Sequence, residues 1–254
     1  MALFVATILN LNYCVIIYSN TDILQAIKDE TIICLPFNKQ HVSEASLDFT
    51  LGYYYYRQEA NTAARVYNPF DKEEVKRYFK GPLKAMSHEE WCKNNGYTLF
   101  KNIPKNHPII VLRPGERILA HTHEFVGIRA KGGAAEVKSR SSWGRNGVAV
   151  CFDAGWIDPG YINRITLEIY NLNQHESVVL PVGERVGQLI FHNTISPVAG
   201  DYSEGRNGMS GKYQNSNNLE SLIANWDPSQ MLPRAYKDIR SIPPKINGIA
   251  EGMF

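Results

Sequence analysis

The sequence predicts an all-β fold of jelly-roll or barrel type that carries a small helical insertion. Short segments of period-2 alternation recur along the chain, as in Ser46-Leu47-Asp48-Phe49-Thr50 and Ile165-Thr166-Leu167-Glu168-Ile169-Tyr170. Turns rich in Gly and Pro separate them, among them Pro114-Gly115 and Asp158-Pro159-Gly160. Dense charge with helical periodicity is concentrated in residues 70–100, which mark the insertion.

Composition bounds the partners. A length of 254 residues suits one large all-β domain or two small ones, and 44% hydrophobic content is enough for a proper core. Net charge is +2, so no global basic field exists and no nucleic-acid partner is expected. Affinity for phosphate must then come from locally placed Arg and Lys. Cys14, Cys34, Cys92 and Cys151 are scattered without a CxxC pair, which supports neither zinc nor a disulfide framework. Free thiols in a reducing, cytoplasmic setting are the natural expectation.

Residues 2–18 form an apolar run, yet no Lys or Arg precedes Lys28 and no small-residue cleavage site is evident. Asn10 and Asn12 interrupt the run, whereas about 20 apolar residues are needed to span a bilayer. Residues 1–18 therefore read as an extension or an added strand, and no membrane partner is expected.

The elements follow in order. Ser19 or Asn20 caps a short helix through residues 22–27. A strand over residues 46–52 ends at Gly52, and the tyrosines at 53–56 are expected to continue it with two rings on each face. The segments FDKEEVKRYF and SHEEWCKNN read as two amphipathic helices parted by Gly81-Pro82. Strands resume from Ile109 around the Pro114-Gly115 turn. Residues 200–216, rich in Gly, Ser and Asn, suit a mobile flap. Residues 217–254, with Pro228, Pro233, Pro243 and Pro244, are expected to wrap over the surface or a neighbour.

Four motifs carry candidate chemistry. Arg140-Ser141-Ser142-Trp143-Gly144-Arg145 offers two hydroxyls, successive N–H groups and two guanidiniums, which can surround a polyphosphate; alone it is equally a solvated surface turn. Asp158-Pro159-Gly160 is a good turn whose carboxylate can accept a hydrogen bond from a sugar hydroxyl. Alternation places Ile165, Leu167 and Ile169 on one strand face and Thr166, Glu168 and Tyr170 on the other. A Glu there is ordinarily solvated surface. Lys212-Tyr213-Gln214, in a Gly-rich stretch, is either a flap or a plain tail.

In order and spacing these pieces resemble the dCTP deaminase family of the trimeric dUTPase superfamily, over residues 19–216. The resemblance implies a dUTPase-like jelly roll, a homotrimer, and hydrolytic deamination of dCTP to dUTP and ammonia. It also assigns roles. Arg140, Ser141, Ser142 and Arg145 hold the triphosphate from a neighbouring subunit, with Arg145 and Ser141 reaching the reaction centre. Asp158 faces the 3′-hydroxyl of the deoxyribose, and Ala154 and Thr166 belong with the base contacts. Glu168 is the catalytic carboxyl that shuttles protons, and Gln188, Tyr202, Lys212 and Gln214 close over the nucleotide.

Zinc is not part of this expectation. His121-Thr122-His123-Glu124 looks like half of the zinc deaminase signature, but no PCxxC follows, and His88-Glu89-Glu90 lacks the second His of HExxH. The histidines read as strand residues, and Mg²⁺ is expected only with the nucleotide phosphates. AGWIDPG and GKYQ resemble the bifunctional members that continue to dUMP and pyrophosphate. A plain dUTPase, or a silent nucleotide-sensing regulator on the same fold, stand as alternatives; Glu168 argues against the first, because dUTPases are typically apolar there. Asp153 and Ser216 depart from the family's usual small polar residue and flap Gln.

Overall fold

The computed structural model describes residues 17–58, 66–196, 198–204 and 211–238. All named strand pairings are antiparallel. The all-β expectation holds, because alternating apolar residues have a single way to bury one face per strand.

Among the described residues two five-stranded sheets carry the molecule. The first runs, edge to edge, Trp156–Ile157, Ala134–Ser139, Arg185–His192, Ser46–Thr50 and Val42–Ser43. The second runs Val148–Val150, Thr166–Asn171, Arg117–His121, Tyr54–Gln58 and Phe79–Lys84. Two three-stranded sheets complete it, one centred on Phe125–Ile128 and one on Pro108–Leu112. Leu47, Phe49, Leu189 and Phe191 from the first sheet meet Ile118, Ala120, Leu167 and Ile169 from the second in one buried cluster. Fully burying each such side chain contributes roughly 1.5–3 kcal/mol.

The N-terminal helix is Asn20–Lys28, capped as expected. Ser19 and Asp22 form a reciprocal capping box, and Ile23 and Ala26 face the core.

Two expectations need correction. The tyrosines do not prolong the strand Ser46–Thr50. The chain crosses at Gly52 and resumes as Tyr54–Gln58 in the other sheet. Gly52 permits the crossing because a Cβ there would lie 2.1 Å from the His121 ring.

Within the insertion, the helices Lys72–Tyr78 and His88–Asn95 form on their Asp71 and Ser87 caps. Gly81-Pro82, however, lies inside the edge strand Phe79–Lys84 rather than in a bare linker. Pairing with Tyr54–Gln58 overrides the local turn signal, and an edge position is where a strand tolerates Pro.

The last segment wraps over the surface of its own barrel, one of the two placements expected for it. Residues 217–238 pack on their own barrel: Leu222 against Ile33 and Ile162, and Met231 against Tyr56, Val75, Phe79 and Leu119. The apolar run through residue 16, the flap residues 205–210 and the tail beyond 238 lie outside the described residues. Among the described residues no helix is long and apolar enough to cross a membrane.

Candidate active site

The expected phosphate motif forms a short helix, Ser141–Arg145, directly after the strand Ala134–Ser139. Ser141, Ser142 and Arg145 are exposed, as a polyphosphate contact requires. The turn is tied down from both sides: the Arg140 N–H donates to the Val186 carbonyl at 3.3 Å, and the Trp143 indole donates to the Arg185 carbonyl at 3.0 Å. Beneath it lies Asp48, buried, with its carboxylate 3.5 Å from Arg140 and 3.1 Å from Arg185. Gln188 faces Asp48 across the strand pair and accepts from the Ser46 hydroxyl at 3.3 Å.

The Asp158 turn is built differently. Tyr161 N–H closes it onto the Asp158 carbonyl at 3.0 Å. Gly160 takes φ +87°, and a Cβ there would sit 2.7 Å from the Asp201 carboxylate, so glycine lets the segment after Gly200 close on the turn. Tyr202 N–H donates to the Pro159 carbonyl at 3.2 Å, and its ring meets Tyr161 edge-on at 5.1 Å. Gln214 is buried: its amide nitrogen donates to the Gly160 carbonyl at 2.9 Å, and its oxygen accepts from the Ile162 N–H at 2.7 Å. Both ends of that amide are engaged with backbone, so in this conformation Gln214 holds the turn. Lys212 is ion-paired with Asp238.

Glu168 sits in the strand Thr166–Asn171, directly opposite Leu119. The alternation is as expected: Ile165, Leu167 and Ile169 are buried and Thr166, Glu168 and Tyr170 are half-buried. Burial pushes the Glu168 carboxyl above the usual carboxylate range, while hydrogen bonding from its own backbone and from the Cys151 thiol, and the charge of Arg117, oppose the shift. The Cys151 N–H donates to the Glu168 carbonyl at 2.8 Å, which fixes the thiol beside the carboxylate. Burial and the Glu168 charge push that thiol strongly upward, so it stays protonated. Ala154, close by in sequence, is exposed along with Phe152 and Asp153.

A single chain thus brings the expected residues into three groups: the phosphate turn over Asp48, the Asp158 turn under Tyr202 and Gln214, and Glu168 beside Cys151. No hydrogen bond or ion pair among the described residues links Glu168 to Asp158 or to the helix Ser141–Arg145.

The histidines of 121–124 are anchored in the fold. His121 is buried; its Nε2 accepts from the Tyr54 N–H at 3.1 Å, so Nδ1 donates to the Thr122 carbonyl at 2.7 Å. Burial lowers its pKa to about 4. Glu124 accepts from the Thr50 N–H and hydroxyl at 2.9 and 2.8 Å. Among the described residues no group of three His, Cys, Asp or Glu side chains is placed to hold a metal ion.

With this geometry in place, the family model described as dCTP deaminase-like matches residues 17–194. The chain belongs to the dCTP deaminase-like family. A relative from Methanococcus maripaludis, named dCTP deaminase, dUMP-forming, is 30% identical over 199 residues, covering 74% of this chain and 86% of its own. One of the same name from Methanopyrus kandleri is 42% identical over 103 residues, so this chain spans about half of it, 51%. A solved structure, the 2′-deoxycytidine 5′-triphosphate deaminase from Agrobacterium tumefaciens, is 18% identical with a TM-score of 0.48, covering 71% of this chain and 49% of that one.

In this dCTP deaminase-like chain, sequence reasoning missed three contacts. Asp48 was legible only as one residue of an alternating strand. Its two arginine partners are distant in sequence, so nothing local marked the carboxylate as buried. Cys151 carried no signal because it meets Glu168 only through strand pairing, and neither did Arg234, whose Nη1 donates to the Lys212 carbonyl at 2.9 Å after the chain returns.

Proposed function

We propose that this protein deaminates dCTP hydrolytically and carries the product on to dUMP and pyrophosphate. The observation that carries this is Glu168: a half-buried carboxyl, held above its ordinary range, on the strand face expected to meet the base. A general acid–base group works best with a pKa near the operating pH, and such transfer contributes ~10²–10⁴-fold.

The water attacking C4 gives up both its protons through Glu168 in turn, the first to N3 and the second to the amine, which departs as ammonia as the C4 carbonyl forms. The Cys151 thiol, protonated, lies beside this carboxyl and donates to the Thr166 carbonyl at 3.7 Å. Ser141, Ser142, Arg140 and Arg145 hold the triphosphate through charge-assisted hydrogen bonds, with Arg145 and Ser141 extending towards the reacting carbon. Asp158 accepts from the 3′-hydroxyl, Ala154 and Thr166 line the base, and Gln188, Tyr202 and Lys212 close over the phosphates.

Mg²⁺ would be held by the nucleotide phosphates and would neutralise part of their charge; the phosphate turn, which offers hydroxyls and guanidiniums rather than a carboxylate cluster, fits an ion held by the substrate. For the second step, Asp158 orients a water towards the α-phosphate while Lys212 and Gln188 hold the chain of phosphates in line.

The active unit is a cytoplasmic homotrimer. The exposed apolar Phe152, Trp156 and Leu172 favour an assembly, and a trimer is what the family resemblance implies. Chromatography of dCTP incubations tests the reading. dUMP and pyrophosphate without accumulating dUTP support it. dUTP that is never hydrolysed leaves a simple deaminase, hydrolysis of dUTP alone a plain dUTPase, and turnover of neither a silent sensor.

A further inference from the structure

The C-terminal strap meets the Lys212-Tyr213-Gln214 run at one residue. Arg234 donates through Nη1 to the Lys212 carbonyl at 2.9 Å, and its own N–H donates to the Tyr213 hydroxyl at 3.1 Å. Its guanidinium also lies over the Tyr213 ring, 5.4 Å from the centroid. The strap that presents Arg234 is itself fixed. Trp226 packs 4.7 Å from His121 and under the Arg164 guanidinium at 5.0 Å, and Met231 is buried against Tyr56 and Leu119. On the other side of the run, Gln214 is bonded to Gly160 and Ile162. Gly211 fits because a Cβ there would lie 2.3 Å from the Tyr202 carbonyl.

We propose that Arg234, which lies beyond the segment matched to the family, is a positioning residue: it seats Lys212 and Gln214 against the Asp158 turn before nucleotide arrives. This rests on the reading of Lys212 as a phosphate contact. The physical reason is entropic. Ordering a backbone segment costs conformational entropy, and the strap meets that cost during folding instead of during binding. Apparent affinity scales with the fraction of molecules already in the competent conformer. Arg234 never touches the reacting atoms, so its loss acts on binding and leaves the chemical step alone.

The test uses the full chain with Arg234→Ala and Arg234→Lys. If Arg234→Ala lowers the seated fraction to about a tenth, KM for dCTP rises roughly tenfold while kcat stays within about twofold. Arg234→Lys, keeping the charge but losing the planar fork, falls between the two. Hydrogen exchange of the Ile162 amide, read without nucleotide, accelerates in the same order because its acceptor is Gln214. An unchanged KM, or equal losses in kcat and in kcat/KM, overturns the positioning role. Should the wild type be inert towards dCTP, the activity reading falls, and unchanged Ile162 exchange in Arg234→Ala then overturns the clamp independently.

Discussion

The Asp48 carboxylate, buried in the strand Ser46–Thr50, lies 3.5 Å from the guanidinium of Arg140, the first residue of the phosphate turn. Arg185 approaches the same carboxylate at 3.1 Å from the adjacent strand. One buried anion thus orients two cations at the mouth of the candidate site.

Asp48→Ala is expected to raise KM for dCTP about tenfold, equivalent to about 1.4 kcal/mol of binding, because Arg140 loses its orientation. Steady-state kinetics decide it. Unchanged KM in a folded variant would show that Arg140 is held by the backbone alone.

Glu168→Gln is expected to reduce deamination by ~10² or more with nucleotide affinity nearly intact, since the change is almost isosteric and removes only the proton carrier. The pH dependence has a definite sign. Burial raises the Glu168 pKa, so the acid limb of kcat lies above the ordinary carboxylate value of about 4.3. A raised carboxyl pKa favours the fold when protonated, and this contribution is lost as pH rises through the folded pKa. Glu168→Gln is therefore more stable than wild type at pH 7, with the difference vanishing below about pH 4. Urea midpoints across that range check the sign; a variant less stable at pH 7 would contradict it.

His121 gives the opposite sign. Its pKa falls to about 4 in the fold, against roughly 6.5 when unfolded. The stability it contributes is fully present above pH ~6.5 and drains away as pH drops towards 4. His121→Gln should flatten the loss of stability in that window, as followed by thermal melts at pH 7, 5.5 and 4.5.

A mixture of Arg145→Ala and Glu168→Gln proteins, each inactive, tests the shared site. If the two groups come from different subunits, random exchange restores about a quarter of the sites in an equal mixture. Demonstrated exchange with no recovery would place both residues in one subunit.

By itself the sequence determined the all-β class, the alternation around Glu168, the capped N-terminal helix and the identity of the motifs. These are local properties: period-2 burial, caps and turn chemistry act over a few residues and are written in neighbouring side chains. The tertiary structure alone decided what those residues touch. Gly52 sends Tyr54–Gln58 into the opposite sheet, and Gly81-Pro82 becomes an edge strand because a partner was waiting for it. Asp48 reaches Arg140 over 92 positions, and Arg234 returns to Lys212 over 22. Such pairings depend on sheet order and chain return, which cost loop entropy that grows only slowly with length. No local pattern records them, so the residues that aim the site appear only once the chain is folded.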